Sequence, residues 1–140
     1  MTEVLETALY AADLEATAAF YERVVGLERV MAEPGRHVFL RAGLTMVLLF
    51  DPQASARPPG EGAIAVPPHG ATGPGHLCFT AEPVGIEGWE ARLAGAGVAV
   101  EHRLRWPHGP RSLYCRDPAG NSIEFAETAL WGPRPAAPAA

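Results

Sequence analysis

Apolar and polar residues alternate along "VLETALY", which predicts a strand from Val4 to Tyr10. The period then lengthens. Leu14, Ala18, Tyr21 and Val25 recur at helical spacing, Asp13 stands before them as an N-cap, and Gly26 follows as a left-handed stop. "LERVMA" predicts a second strand, and "RHVFLRAGLTMVLLFD" two more that turn at Ala42-Gly43. The order then repeats. "GHLCFTA" reads as a strand, "GIEGWEARLAGAG" as a helix with Trp89 and Leu93 inward and Gly95 or Gly97 ending it. "VAVEHRLR" reads as a strand and "RSLYCRDPAGNSIEFAE" as a hairpin turning at "DPAGN". The pattern predicts an α+β fold of two βαβββ modules, residues 1–54 and 74–130. Between them lies a Pro/Gly-rich linker, 55–73, within a stretch from Asp51 to Gly75 too rich in Pro and Gly for regular structure and able to fold over a site; a flexible tail, 131–140, follows.

Composition narrows the classes. With 140 residues and 48% hydrophobic content, the chain is expected to be one soluble domain with a real core and no second full-sized domain. No basic region followed by an apolar run opens it, and no run approaches the roughly 18 to 20 apolar residues of a membrane span. The expectation is a cytoplasmic protein without membrane partners. A net charge of −5, with eleven scattered Arg against sixteen acids, offers no basic stripe for nucleic acid. Lys is missing, which excludes Schiff-base chemistry. Cys78 and Cys115 lack metal-type or disulfide-type spacing and are expected to be reduced, the default being small buried hydrophobes.

A duplicated unit brings equivalent positions to equivalent places. Aligned on first strands and helix-ending glycines, Glu6 falls on His76, because Glu6 precedes Gly26 by 20 residues and His76 precedes Gly97 by 21. The same frame pairs Leu48 with Glu124. Glu6 thus holds a position where an inward-facing residue is expected, sharing a face with Ala8 and Tyr10. His76 shares one with Cys78 and Thr80, and Glu124 one with Ser122 and Ala126. If the two sheets curve toward each other, Glu6, His76 and Glu124 converge. Two carboxylates buried together conflict unless a cation joins them. Two carboxylates and an imidazole suit Mn²⁺, Fe²⁺, Ni²⁺, Zn²⁺ or Co²⁺, the oxygen-rich set favouring Mn²⁺ or Fe²⁺.

"ETALYAADLEATAAFYERVVGLERV", "GHLCF" and "SLYCRDPAGNSIEF" resemble the hallmark segments of the vicinal oxygen chelate superfamily of glyoxalases, bleomycin-resistance proteins and dioxygenases. The resemblance implies paired βαβββ modules forming a cupped mixed sheet, usually in a homodimer, around a divalent metal that chelates adjacent oxygens of a small-molecule substrate. It supports His76 in "GHLCF" and Glu124 in "IEF" as metal ligands. Metal-bearing relatives mostly carry His where Glu6 stands, and glyoxalase I a second, proton-transferring Glu where Leu48 stands.

The leading expectation is therefore a metal-dependent lyase, isomerase or dioxygenase with Glu6, His76 and Glu124 on the metal. Proton transfer then falls to Glu6 or to His69 of the linker. Tyr10, His37, Cys78, Arg111 and Trp131 are candidate substrate contacts: Tyr10 and Cys78 share the ligands' faces, Arg111 and Arg36-His37 begin strands, and Trp131 follows the last strand. His102 and His108 read as surface residues. The alternative is a bleomycin-resistance-type protein that sequesters a drug in a dimer groove without catalysis.

Overall fold

The computed structural model describes residues 1–136, and the chain divides into two compact units. The first comprises Met1–Gly75 with Asp117–Asn121, and the second His76–Arg116 with the chain from Ser122 onward. In the first unit β1 (Glu6–Tyr10), α1 (Leu14–Phe20), β2 (Glu28–Glu33), β3 (His37–Ala42) and β4 (Thr45–Phe50) are followed by a single-turn helix, α2 (Pro52–Ser55). The sheet order is β1-β4-β3-β2, with β1 parallel to β4 and the other pairs antiparallel. The second unit holds β5 (His76–Thr80), α3 (Ile86–Gly95), β6 (His102–Arg105), β7 (Arg111–Arg116) and β8 (Ser122–Ala126), ordered β5-β8-β7-β6 with the same parallel and antiparallel pattern.

The local signals act as expected. Asp13 caps α1 by accepting the Ala16 N–H at 3.0 Å, and α1 continues into a π-helical turn, Tyr21–Val25, that Gly26 ends at φ +90°. Leu14, Ala18, Tyr21 and Val25 are all buried. Asp13→Ala unpairs that donor and is expected to cost about 1 kcal/mol, read from denaturant unfolding; no loss would show that the cap is dispensable. Trp89 and Leu93 bury the inner face of α3, and the Trp89 indole stacks on Phe125 at 4.0 Å.

Three boundaries differ from the pattern. β1 begins at Glu6, leaving Val4 and Leu5 exposed. β6 begins only at His102, because the Val98 N–H closes α3 on the Leu93 carbonyl and Gly97 turns there at φ +72°. The Pro/Gly-rich stretch opens with α2, where Asp51 accepts the Gln53 and Ala54 N–H groups and Pro52 takes the first helical position. Of the expected flexible tail, residues 137–140 lie outside the described residues.

The duplication extends to register. Ala8 faces Leu48 and Phe39 faces Leu48 across β1, β4 and β3; Cys78 faces Glu124 and Tyr114 faces Glu124 across β5, β8 and β7. The turn between β7 and β8 belongs to the first unit, where Asp117 and Asn121 are both buried. Asp117 accepts the Tyr21 hydroxyl at 2.7 Å and the Ala119 N–H, Asn121 N–H and Asn121 amide at 2.9 Å each, while Asn121 Oδ1 accepts the Gly75 N–H at 2.7 Å. No helix of the described residues is long and apolar enough to cross a membrane.

Candidate metal centre

Parallel pairing of β5 with β8 sets His76 beside Ser122 and Cys78 beside Glu124 on one face of the second sheet. His76 Nδ1 lies 3.0 Å from the Ser122 carbonyl, which can only accept, so Nδ1 carries a proton. In the neutral ring the lone pair is then on Nε2, the arrangement that orients a ligating imidazole. Nε2 lies 3.2 Å from Glu124 Oε2. Glu124 is only 5% exposed, and its Oε1 has no hydrogen-bond partner among the described residues.

Two lone pairs cannot face each other at that distance without a cation between them. A proton on Nε2 gives an imidazolium–carboxylate pair and still leaves Oε1 orphaned, at the cost of an unsatisfied buried polar atom. A divalent ion can be served by the imidazole and the carboxylate together, so the donors present fit a metal. Around them stand Tyr114, whose ring stacks near His76, and Cys78, which is exposed on this face of β5 and so departs from the buried small hydrophobe expected, as Cys115 does not. Burial foremost, and then the charge of the Glu124 carboxylate and hydrogen bonding to it, push the Tyr114 phenol and the Cys78 thiol each up to about 12. Both therefore stay neutral near pH 7 and add no charge to compete for the cation.

The structure brings His76 and Glu124 together. Glu6 opens β1 in the first unit, exposed, in register with Met46. Leu48 is a buried apolar side chain, and among the described residues no group of three or more His, Cys, Asp or Glu is placed to hold a metal. In the first unit, the Tyr10 hydroxyl lies 2.8 Å from His69 Nδ1, and the His69 ring stands edge-on to Phe50 with centroids 4.4 Å apart. His37 stacks on Phe39 at 4.1 Å; its partial burial lowers its pKa against the pull of Glu33.

The remaining candidates have structural partners or stand in solvent. Arg111 bonds to Glu127 at 2.8 and 3.1 Å and to Glu87, holding both carboxylates below the usual range. Arg36 bonds to the Ala54 carbonyl, and His108 lies 3.1 Å from the Leu130 carbonyl. Trp131 ends a 3₁₀ turn, Thr128–Trp131, and is 91% exposed. Sequence reasoning missed Tyr114 and the aromatic group of Phe39 and Phe50. The signal for Tyr114 was present: a hairpin closing with Arg116 opposite Ser122 must place residue 114 opposite Glu124.

The sequence profile of the Glyoxalase/Bleomycin resistance protein/Dioxygenase superfamily matches residues 4–125. Among solved structures the chain is similar to a lactoylglutathione lyase from Agrobacterium tumefaciens, with 49% identity, a TM-score of 0.87, and coverage of 94% of this chain and 98% of that one. More distant likenesses show the fold alone. A virulence protein from Salmonella typhimurium has 24% identity, a TM-score of 0.69 and coverage of 91% and 97%. An integron cassette protein of V. cholerae has 24% identity, 0.69, and 92% and 97%. No curated protein sequence matches the chain.

Proposed function

The chain belongs to the glyoxalase/bleomycin resistance protein/dioxygenase superfamily, and on that premise we propose that it is a metal-dependent enzyme of lyase type acting on a small substrate with oxygens on adjacent carbons. The buried Glu124 carboxylate, with Oε2 lying 3.2 Å from His76 Nε2 and Oε1 without a hydrogen-bond partner among the described residues, carries this reading. The 49% identity to a lactoylglutathione lyase supports the lyase class and points to a 2-hydroxyacyl thioester of glutathione as substrate or product.

His76 and Glu124 would hold the metal, with Glu6 as the remaining protein ligand. When bound, a divalent ion supplies Lewis-acid polarisation of the substrate's oxygens. The chain's own residues do the rest. Ser122 fixes the His76 tautomer through its carbonyl. Neutral Tyr114 and Cys78 border the carboxylate without offering a rival charge. Proton transfer between neighbouring carbons would fall to Glu6, on leaving the metal, or to His69. The oxygen-rich donor set favours Mn²⁺ or Fe²⁺ over Zn²⁺, Ni²⁺ or Co²⁺.

The test mixes metal-stripped protein with glutathione and methylglyoxal, whose adduct has the same atoms as lactoylglutathione, and follows the thioester. Formation should appear only after a divalent ion is added and vanish with chelator. No turnover with any of the five ions would overturn the reading in favour of a sequestering protein.

A symmetric dimer is part of the same proposal. β1 is a sheet edge, and Val4, Leu5, Val30 and Met31 of the first unit are exposed. Sedimentation at micromolar concentration should give twice the chain mass; a monomer would contradict it.

A further inference from the structure

Resting on the metal-centre reading, we infer that Tyr114 is the positioning residue of Glu124, and that Ser112 and Trp106 set the direction in which its hydroxyl donates. All four belong to the second unit. Strand pairing puts Cys78, Glu124, Tyr114 and His102 in one row across β5, β8, β7 and β6. Tyr114 therefore stands directly opposite the carboxylate. Its ring packs near the imidazoles of His76 and His102, with centroids 6.4 and 6.2 Å away, and its hydroxyl is bonded to Glu124 on one side and to Ser112 on the other.

The far end of this chain of bonds fixes its direction. The Trp106 indole N–H can only donate, and it lies 2.9 Å from Ser112 Oγ. Ser112 therefore accepts there and has its own proton to give elsewhere. At 1% exposure it is shut off from bulk water, and the Tyr114 oxygen, two residues along the same face of β7, takes that proton's bond. The phenol proton is then left for Glu124, whose ionised carboxylate only accepts. Bonds thus run one way, from Trp106 through Ser112 and Tyr114 to Glu124.

The duplicated first unit supplies a comparison within the same molecule. Phe39 faces Leu48 there as Tyr114 faces Glu124 here, and His37 faces Phe50 as Ser112 faces Ala126. The aromatic ring is kept in both units, whereas the hydroxyl is absent where the carboxylate is absent. A residue that only walled a pocket would need the ring alone. Glu124 Oε1 has no hydrogen-bond partner among the described residues, so a carboxylate steadied by Tyr114 still has an oxygen to give to a cation. An outer partner of this kind holds a metal-ligating group in its binding orientation.

The test titrates the metal-free wild type, Tyr114→Phe, Ser112→Ala, Ser112→Thr and the double variant of Tyr114→Phe with Ser112→Ala against Mn²⁺ by calorimetry. Tyr114→Phe keeps the ring and should bind Mn²⁺ about tenfold more weakly, the lower end of the usual loss when an outer partner of a ligand is removed. Ser112→Ala should lose a smaller factor, and Ser112→Thr, which keeps a hydroxyl, should bind as the wild type does. The double variant should bind no more weakly than Tyr114→Phe, because the serine acts only through the phenol. A serine that merely supported the fold would add its loss in both backgrounds. Wild-type affinity in Tyr114→Phe, or an equal loss from Ser112→Ala with and without the phenol, would overturn the inference while leaving the metal centre standing. No Mn²⁺ binding by the wild type would instead bring down the metal reading, and the inference with it.

Discussion

Replacing Glu124 by Leu is expected to make the metal-free protein more stable and to leave it unable to respond to metal. Glu124 is buried, one of its oxygens has no hydrogen-bond partner among the described residues, and the groups that do bond to the carboxylate, His76, Tyr114 and Cys78, all keep access to water that can serve them in its place. Removing such a group relieves a desolvation cost, and the leucine adds apolar surface beside Tyr114 and Cys78. Stabilisation of about 1–3 kcal/mol is expected. With a divalent ion present the order reverses. The wild type gains stability in proportion to the logarithm of ion concentration over its dissociation constant, whereas the variant gains nothing from this centre. Urea unfolding with and without Mn²⁺ checks both signs. A metal-free variant clearly less stable than the wild type would mean that the carboxylate serves the fold.

Asp117→Ala is expected to be the most destabilising single change. One carboxylate there accepts four hydrogen bonds, from the Tyr21 hydroxyl, two backbone N–H groups and the Asn121 amide, all in a buried setting. Alanine leaves those donors unsatisfied, and a loss of about 3 kcal/mol or more follows from the cost of orphaned buried donors. The damage should extend to the Gly75 N–H, which Asn121 Oδ1 accepts and which immediately precedes His76. Tyr21→Phe removes one of the four bonds and should cost about 1 kcal/mol. Denaturant midpoints order the two. A loss below that of Tyr21→Phe in Asp117→Ala would show that the turn reorganises and satisfies its donors elsewhere.

Much of the fold was legible because it rests on local signals. Asp13 and Gly26 bracket the first helix as their chemistry dictates, and the two halves share one strand order that the repeat exposed. The register equivalence of Leu48 with Glu124 followed from counting alone. What the pattern missed depends on bonds that periodicity does not encode. A helix closure on Leu93 shortened β6, and a cap by Asp51 made a helical turn within a Pro/Gly-rich stretch. At the site, the pairing of His76 with Glu124 could be anticipated from strand order, but the tautomer set by the Ser122 carbonyl and the orphaned Oε1 could not. Tyr10 and His69 stand 59 positions apart, and only a folded loop brings a hydroxyl to an imidazole.

Pulsed electron paramagnetic resonance on the Mn²⁺-loaded protein puts the metal centre to the most direct test. Coupling to a single directly bound imidazole nitrogen is expected in the wild type, with its disappearance in His76→Ala and its persistence in His69→Gln. A spectrum without nitrogen coupling, or one unchanged in His76→Ala, would contradict it.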